Sequence, residues 1–73
     1  MKSYMNSKSL TKREVEIIRL LAQEYSTKEI AAQLFLSSET IKSHRRNIQV
    51  KLKVRNVAGT VRAAFEYGIL RVA

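Results

Sequence analysis

Residues 37–53 read SSETIKSHRRNIQVKLK, and the behaviour of this stretch decides how the rest of the chain must fold. At about 100° per residue, a helix here gathers one apolar face within about 80°, formed by Ile41, His44, Ile48 and Leu52. The opposite face, within about 60°, carries Lys42, Arg46, Gln49 and Lys53. The spacing therefore predicts a helix over residues 38–52 that buries one side in a core and turns the other toward a polyanion.

Positive charge is concentrated in this part of the chain. Six Lys or Arg residues and no Asp or Glu lie between positions 42 and 55, and the whole chain carries a net charge of +8. This balance favours attraction to nucleic acid or to an anionic membrane surface. No apolar run approaches the roughly 18 residues that span a bilayer, and residues 1–9 lack the apolar centre of a signal peptide. We therefore expect a cytoplasmic protein without a membrane partner.

Length and composition favour a small all-α domain. The chain has 73 residues, of which 45% are hydrophobic, with two Gly, no Pro and no Cys. A chain this short has a single core of barely sufficient size, and the shortage of turn-forming residues argues against an all-β fold. Without Cys there is neither a disulfide framework nor a thiolate metal site. We expect no metal and no cofactor.

Two capping boxes precede the central stretch. Residues 11–14 (TKRE) and 26–29 (STKE) each place a hydroxyl three positions before a Glu, which marks the start of a helix. The first predicts a helix over residues 12–24, and the second a helix of about nine residues. Only about three residues then separate this second helix from Ser37, which caps the third. Two helices joined so tightly must cross steeply, as in a helix-turn-helix.

Apolar spacing also predicts which side of each outer helix faces the core. The predicted inward residues are Val15, Ile17, Ile18, Leu20, Leu21 and Ala22 in the first helix, Ile30, Ala31 and Leu34 in the second, and Val57, Val61, Ala64 and Phe65 in the fourth. Asn56 is the expected N-cap of the fourth helix, and Gly68 is its expected C-terminal cap. Residues 1–9 are polar without a period, so we predict a flexible arm before a domain over residues 10–73.

A steep two-helix unit with a basic second helix is the geometry that places side chains in a DNA major groove. Lys42, Ser43 and Arg46 lie toward the N-terminal half of the third helix, from which they could contact base edges. Glu39 shares this outer face. For Glu39, pairing with Lys42 or Ser43 is favoured over accepting a hydrogen bond from cytosine N4.

Other polar residues are better placed for the phosphate backbone. Gln49 and Lys53 lie farther along the same helix, where the groove wall is phosphate. Thr27 and Lys28 begin the second helix, whose free N–H groups suit a phosphate oxygen. Capping by Ser26 alone is the simpler interpretation of that helix start, and it is compatible with phosphate contact.

The sequence carries no arrangement typical of an enzyme. It has no Ser/His/Asp set, no cluster of metal ligands and no glycine-rich phosphate loop. His44 is the lone histidine, and its place on the apolar face indicates a packing role. A binding module is predicted, with two alternatives to DNA: a helical protein-interaction module that does not bind DNA, or a basic RNA-binding protein. Scattered Tyr residues weaken the RNA alternative because they form no stacking platform.

Residues 10–54, LTKREVEIIRLLAQEYSTKEIAAQLFLSSETIKSHRRNIQVKLKV, resemble the LuxR-type helix-turn-helix of NarL/FixJ-like response regulators and quorum-sensing activators. The resemblance is carried by short motifs along the whole stretch, and it continues more weakly to Gly68-Ile69-Leu70. These motifs are Leu10-Thr11 with Arg13-Glu14, Lys28-Glu29-Ile30-Ala31, Leu36-Ser37, Thr40-Ile41-Lys42 with His44, and Lys51-Leu52 with Val54.

The resemblance implies a four-helix domain that regulates transcription by sequence-specific binding to double-stranded DNA. Its third helix would be the recognition helix, with Lys42, Ser43 and Arg46 toward bases, and Thr27, Lys28 and the flanking Arg45 on the backbone. The fourth helix would form a homodimer contact through Val57, Val61 and Ala64, which implies an inverted-repeat site, and RNA polymerase is a further expected partner. The chain departs from the family pattern at Val57-Ala58-Gly59 and at Glu24-Tyr25, where the family usually has polar residues and a Gly, respectively.

Overall fold

The computed structural model describes residues 10–71, which form four α-helices and no strand. The helices are α1 (Lys12–Ala22), α2 (Thr27–Leu34), α3 (Ser38–Leu52) and α4 (Val57–Glu66). The predicted all-α architecture and the predicted bounds of the third helix are confirmed. The arm predicted over residues 1–9 lies outside the described residues. Within residues 10–71, every helix is too short or too polar to cross a membrane.

The core forms around α3, which contacts each of the other three helices. Ile41 and Ile48 of α3 have no exposed surface, and Leu52 is 3% exposed. They pack with Ile17 and Ile18 of α1, which are also fully buried. Burying a side chain of this size contributes about 1.5 to 3 kcal/mol, so the apolar face of α3 holds the small domain together and fixes the rotation of α3 about its own axis.

Each helix begins where its capping residue lies. Thr11 and Ser26 accept hydrogen bonds from the N–H groups of Glu14 and Glu29, and the two Glu side chains accept in return from the cap N–H groups. Both predicted capping boxes are therefore present. Ser37 and Asn56 cap α3 and α4 in the same way without the return bond, accepting from the N–H groups of residues 40 and 59.

All four helices end in the Schellman arrangement, in which one residue takes the left-handed conformation and the next N–H bonds back to the last turn. The left-handed residues are Glu24, Phe35, Lys53 and Gly68, with φ of 69°, 58°, 58° and 78°. The returning N–H groups belong to Tyr25, Leu36, Val54 and Ile69, with bonds of 2.8 to 3.2 Å. Those four side chains all pack on the core. This packing holds three non-glycine residues in a conformation that costs roughly 1 to 2 kcal/mol each.

The structure corrects several predicted details. α1 ends at Ala22 and not at residue 24, because Glu24 adopts the left-handed conformation that substitutes for the Gly usual in the family. Phe65 was predicted to face the core but is 43% exposed. Thr60 and Ala63 occupy the inner side of α4 instead.

Glu14 links α1 to α3 through a buried ion pair that the capping pattern alone did not reveal. Its carboxylate is 4% exposed and lies 2.7 Å from the Lys51 ammonium, while also accepting from the Thr11 N–H. Burial raises the pKa of Glu14, but hydrogen bonds from Lys51 and Thr11 and electrostatic interactions with Lys51 and His44 outweigh it and lower the pKa overall. The pair therefore favours the ionised carboxylate and helps to set the register of α3 against α1.

Gly59 marks a close approach between the first turn of α4 and the segment before it. A Cβ atom added at Gly59 would lie 3.0 Å from the Cβ of Val54. Val54 cannot move away easily, because its N–H is bonded to Gln49 and its side chain packs on the core. The absence of a side chain at position 59 is therefore a packing requirement and not only a loss of helix propensity.

We predict that Gly59→Ala fails to stabilise the protein. Helix propensity alone would add about 1 kcal/mol, but the contact with Val54 should turn this into a loss of about 1 kcal/mol. Urea unfolding measures the difference. Ala58→Gly in the same turn, at an exposed position, provides the ordinary Gly–Ala difference as a control. A gain near 1 kcal/mol for Gly59→Ala would show that the close approach carries no cost.

We also predict that Glu14→Gln lowers the free energy of unfolding at pH 7 by about 1 to 2 kcal/mol, because Lys51 loses its charged partner and the Gln side chain offers only a neutral acceptor. A folded-state pKa below the unfolded value, about 4.3, stabilises the fold above that pH, and this contribution disappears as the pH falls through the folded-state pKa. The difference between wild type and Glu14→Gln should therefore shrink below about pH 4. Glu16→Gln, in an exposed pair 3.3 Å from Arg13, should change stability by less than about 0.5 kcal/mol.

Candidate nucleic-acid interface

The face of α3 opposite the core forms a continuous exposed strip. Counting about 100° per residue from buried Ile48, the residues pointing most directly outward are Glu39, Ser43, Arg46 and Val50, and each of them is exposed. Lys42 lies about 60° to one side and is also exposed. We call these five residues the outer face of α3. Because Ile41 and Ile48 fix the rotation of the helix, this face points away from the core.

The three residues predicted to contact bases all lie on this outer face. Lys42, Ser43 and Arg46 are exposed and lie within little more than one turn of α3, toward its N-terminal half. The Lys42 ammonium lies 3.5 Å from a carboxylate oxygen of Glu39, so the predicted structural pairing of Glu39 is present. An exposed pair at this distance holds the two side chains only weakly, which leaves both free to take other partners.

The residues predicted for the phosphate backbone divide between two helices that meet at one contact. The Arg45 guanidinium donates a hydrogen bond to the Thr27 hydroxyl, which joins the flank of α3 to the first turn of α2. Lys28 is exposed beside Thr27. The structure therefore brings Thr27, Lys28 and Arg45 together on one edge of the outer face, and the Arg45 bond holds the start of α2 beside α3.

A shallow depression of about 210 Å³ runs along the same edge of α3, lined by Lys42, Arg45, Arg46 and Gln49. Three of the four lining residues are cations and none is acidic. Gln49 is half-buried, whereas Lys53 is exposed at the C-terminal end of α3, in the left-handed conformation that ends the helix. Positive charge therefore extends along α3 from Lys42 to Lys53, which suits a groove edge lined with phosphates.

Two residues of the exposed side of α3 were missed by the sequence analysis. Val50 is 71% exposed, and Asn47 is exposed about 80° from the outward direction. Both could have been predicted from their angular position on the helix, but neither carries the charge by which the other contact residues were recognised. An exposed Val beside Arg46 offers an apolar contact of the kind that thymine methyl groups accept, and an Asn amide suits adenine.

The dimer contact predicted on α4 is only partly available at the surface. Val57 and Val61 are half-buried, but Ala64 has no exposed surface because it packs in the domain's own core. Ala64 therefore cannot contact a partner in this fold. Phe65, one turn after Val61, is 43% exposed. The accessible apolar side of α4 is thus formed by Val57, Val61 and Phe65.

His44 is half-buried on the inner flank of α3, close enough to Glu14 to contribute to the lowered pKa of that carboxylate. This position agrees with the predicted packing role. Among residues 10–71, no group of three or more His, Asp or Glu side chains is placed to hold a metal ion.

Comparison with known proteins gives a family match over most of the chain. Residues 8–64 match the luxR family of bacterial regulatory proteins. The spore germination protein GerE of Bacillus subtilis is 38% identical over 71 residues, which cover 97% of this chain and 96% of GerE. The nitrate/nitrite response regulator protein homolog of Haemophilus influenzae is 54% identical over 54 residues. That match covers 73% of this chain and 26% of the relative, so the chain spans about a quarter of that protein.

Solved structures agree with these matches. The transcription factor GerE superposes with a TM-score of 0.81 at 39% identity, covering 85% of this chain and 92% of GerE. The response regulator ChrA of a heme-sensing two-component system superposes with a TM-score of 0.82 at 38% identity, covering 84% of this chain and 30% of ChrA. The chain therefore belongs to the luxR family of bacterial regulatory proteins, a family of DNA-binding transcription regulators.

Proposed function

We propose that this domain binds double-stranded DNA sequence-specifically, with α3 in the major groove, and that it acts as a transcriptional regulator or as the output domain of one. The observation that carries the proposal is the outer face of α3. Exposed donors lie on one side of a helix whose other side is fixed in the core. A helix of this kind fits a groove about 12 Å wide.

The proposed contacts fall into two classes. Lys42, Ser43 and Arg46 project from the outer face and read base edges, where Arg or Lys to guanine is the commonest specific contact. Residues around this face bind phosphate and fix the register of α3 on the duplex. These are Thr27, Lys28, Arg45, Gln49 and Lys53. The bond from Arg45 to Thr27 supports this division, because it positions the start of α2 beside α3 before any DNA is bound.

We further propose that two copies bind an inverted repeat through α4. Val57, Val61 and Phe65 provide an accessible apolar side on that helix, and two-fold symmetry of a protein is mirrored in the symmetry of its operator. A cytoplasmic location and contact with RNA polymerase follow from the same role as a bacterial transcription regulator.

Duplex binding should weaken steeply with salt. Three cationic phosphate contacts per protomer, from Lys28, Arg45 and Lys53, predict a slope of about −3 for the logarithm of the association constant against the logarithm of salt concentration. Arg46→Ala should reduce affinity for the selected site by about 1 to 3 kcal/mol and relax the preference at one base pair. Fluorescence anisotropy with duplexes selected from a random pool measures both effects.

Arg19→Ala is a matched control for this loss of charge, because Arg19 is exposed on α1 and lines a groove toward the end of α4, away from α3. It should leave the selected base preferences unchanged. A protein-interaction module without DNA binding predicts a different result: the double variant Lys42→Glu/Arg46→Glu would keep its function and wild type would show no salt-dependent duplex binding. Either finding would refute the proposal.

The dimer proposal predicts a separate effect at α4. Val61→Glu should reduce binding to an inverted repeat by tenfold or more, on the order of 1.4 kcal/mol, because it places a charge in an apolar contact. Binding to a duplex with a single half-site should be unchanged, and this measurement also controls for folding. Equal binding of wild type and Val61→Glu to the inverted repeat would exclude this surface of α4 from the dimer.

A further inference from the structure

We propose that Glu39 and Lys42 act together as the reader of one G·C base pair, with Lys42 donating to guanine and Glu39 accepting from cytosine N4. This inference rests on the proposed function, since it requires the outer face of α3 to lie in the major groove. It assigns to Glu39 a role in sequence specificity beyond its pairing with Lys42.

The first observation is the position of Glu39. It lies in the first turn of α3 and on the outward line that also contains Ser43 and Arg46. Recognition helices contact bases mainly through their N-terminal residues. A side chain at this position therefore faces the floor of the groove with the predicted base readers, and not the phosphates along the groove edges.

The second observation is that the ion pair leaves Glu39 almost entirely accessible. Its side chain is 85% exposed and that of Lys42 is 55% exposed, although the two charged groups lie 3.5 Å apart. This single contact of 3.5 Å leaves most of the lone pairs of the carboxylate accessible to other hydrogen-bond donors. An exposed pair of this type contributes little to stability, so structural pairing does not account for an acid in a face that is otherwise basic or neutral.

The third observation is the match between this pair and the edge of a G·C base pair. Guanine O6 and cytosine N4 lie side by side in the major groove, joined by a Watson–Crick hydrogen bond of about 2.9 Å. O6 accepts and N4 donates. Lys42 and Glu39 offer a donor and an acceptor 3.5 Å apart, which is the complementary order at a similar spacing.

The pair also discriminates against the other base pairs. A T·A pair presents an acceptor and a donor in the same order, but a methyl group stands where guanine has its N7 acceptor, so the Lys42 ammonium loses one partner. At a C·G or an A·T pair the donor and the acceptor stand in the opposite order. The carboxylate would then face guanine O6 or thymine O4, which are both acceptors. Glu39 would then be desolvated without a donor, which is costly for a charged group.

The experiment begins with selection of bound duplexes from a random pool by wild type, which should yield a site with a fixed G·C pair contacted by the start of α3. Binding is then measured for wild type and Glu39→Ala on two duplexes. One is the selected site, and in the other 2-pyrimidinone, which has hydrogen in place of the N4 amine, replaces the cytosine of that pair. The four affinities form a cycle that isolates contact between Glu39 and the amine, because any effect on duplex stability applies to both proteins.

We expect each single change to reduce affinity by about tenfold and the combination to add no more than about twofold. Glu39→Ala should also bind unrelated duplexes more tightly than wild type, because a charge that repels phosphate is removed. Glu16→Ala is the matched control: Glu16 forms an exposed pair of the same i,i+3 spacing, 3.3 Å from Arg13, on α1. It should respond to the base substitution as wild type does.

The outcomes separate the two levels of the proposal. The reader role of Glu39 is refuted, and the proposed function stands, in two cases in which wild type selects a motif. In the first, the losses of affinity caused by Glu39→Ala and by the pyrimidinone multiply independently. In the second, the pyrimidinone does not change the affinity of wild type. A selected motif without a fixed G·C pair at the start of α3 refutes the reader role equally. If wild type selects no motif and its duplex binding does not respond to salt, the proposed function itself fails.

Discussion

The structure depends on one constraint: α3 is held in place by burial of its apolar side against three other helices. Ile41 and Ile48 have no exposed surface, so rotating α3 would expose them at a cost of about 1.5 to 3 kcal/mol each. The ion pair between Glu14 and Lys51 adds a directional restraint from α1. The outward orientation of Lys42, Ser43 and Arg46 follows from this burial, since residues on opposite sides of a helix cannot be moved independently.

The ends of the helices also depend on burial of apolar side chains in the core. Three helices stop at non-glycine residues in the left-handed conformation, at Glu24, Phe35 and Lys53. Local preference disfavours each of these turns. They persist because the next residue is apolar and packs on the core, so the gain from burial exceeds the local cost. Tertiary packing thus stabilises the short connection between α2 and α3, which holds the two helices close together.

The outer face combines exposed cations with an acid, a hydroxyl and an aliphatic side chain. Beside this face, the bond from Arg45 to Thr27 places the first turn of α2 next to the basic edge of α3. The family match and the superposition on GerE agree with this arrangement of helices. In the proposed role, rigid placement of a varied set of side chains is what allows a helix to distinguish base pairs as well as attract phosphates.

Periodicity and capping chemistry are local, and the sequence alone determined what depends on them: four helices, the start of each, the bounds of α3 and the face of α3 that carries charge. The left-handed end at Gly68 was also predictable, because glycine favours that conformation. Three features depended on how side chains pack once the chain has folded, and they were decided only by the tertiary structure. Glu14 looked like a simple capping residue until Lys51, 37 positions away, was brought beside it. Phe65 was expected to face the core together with Ala64, but only Ala64 is buried there, because packing of α4 selects Thr60, Ala63 and Ala64 for the inner side of the helix. Gly59 looked like a weakness in α4, but the Val54 side chain lies directly against it, and this close contact is visible only once the chain has folded.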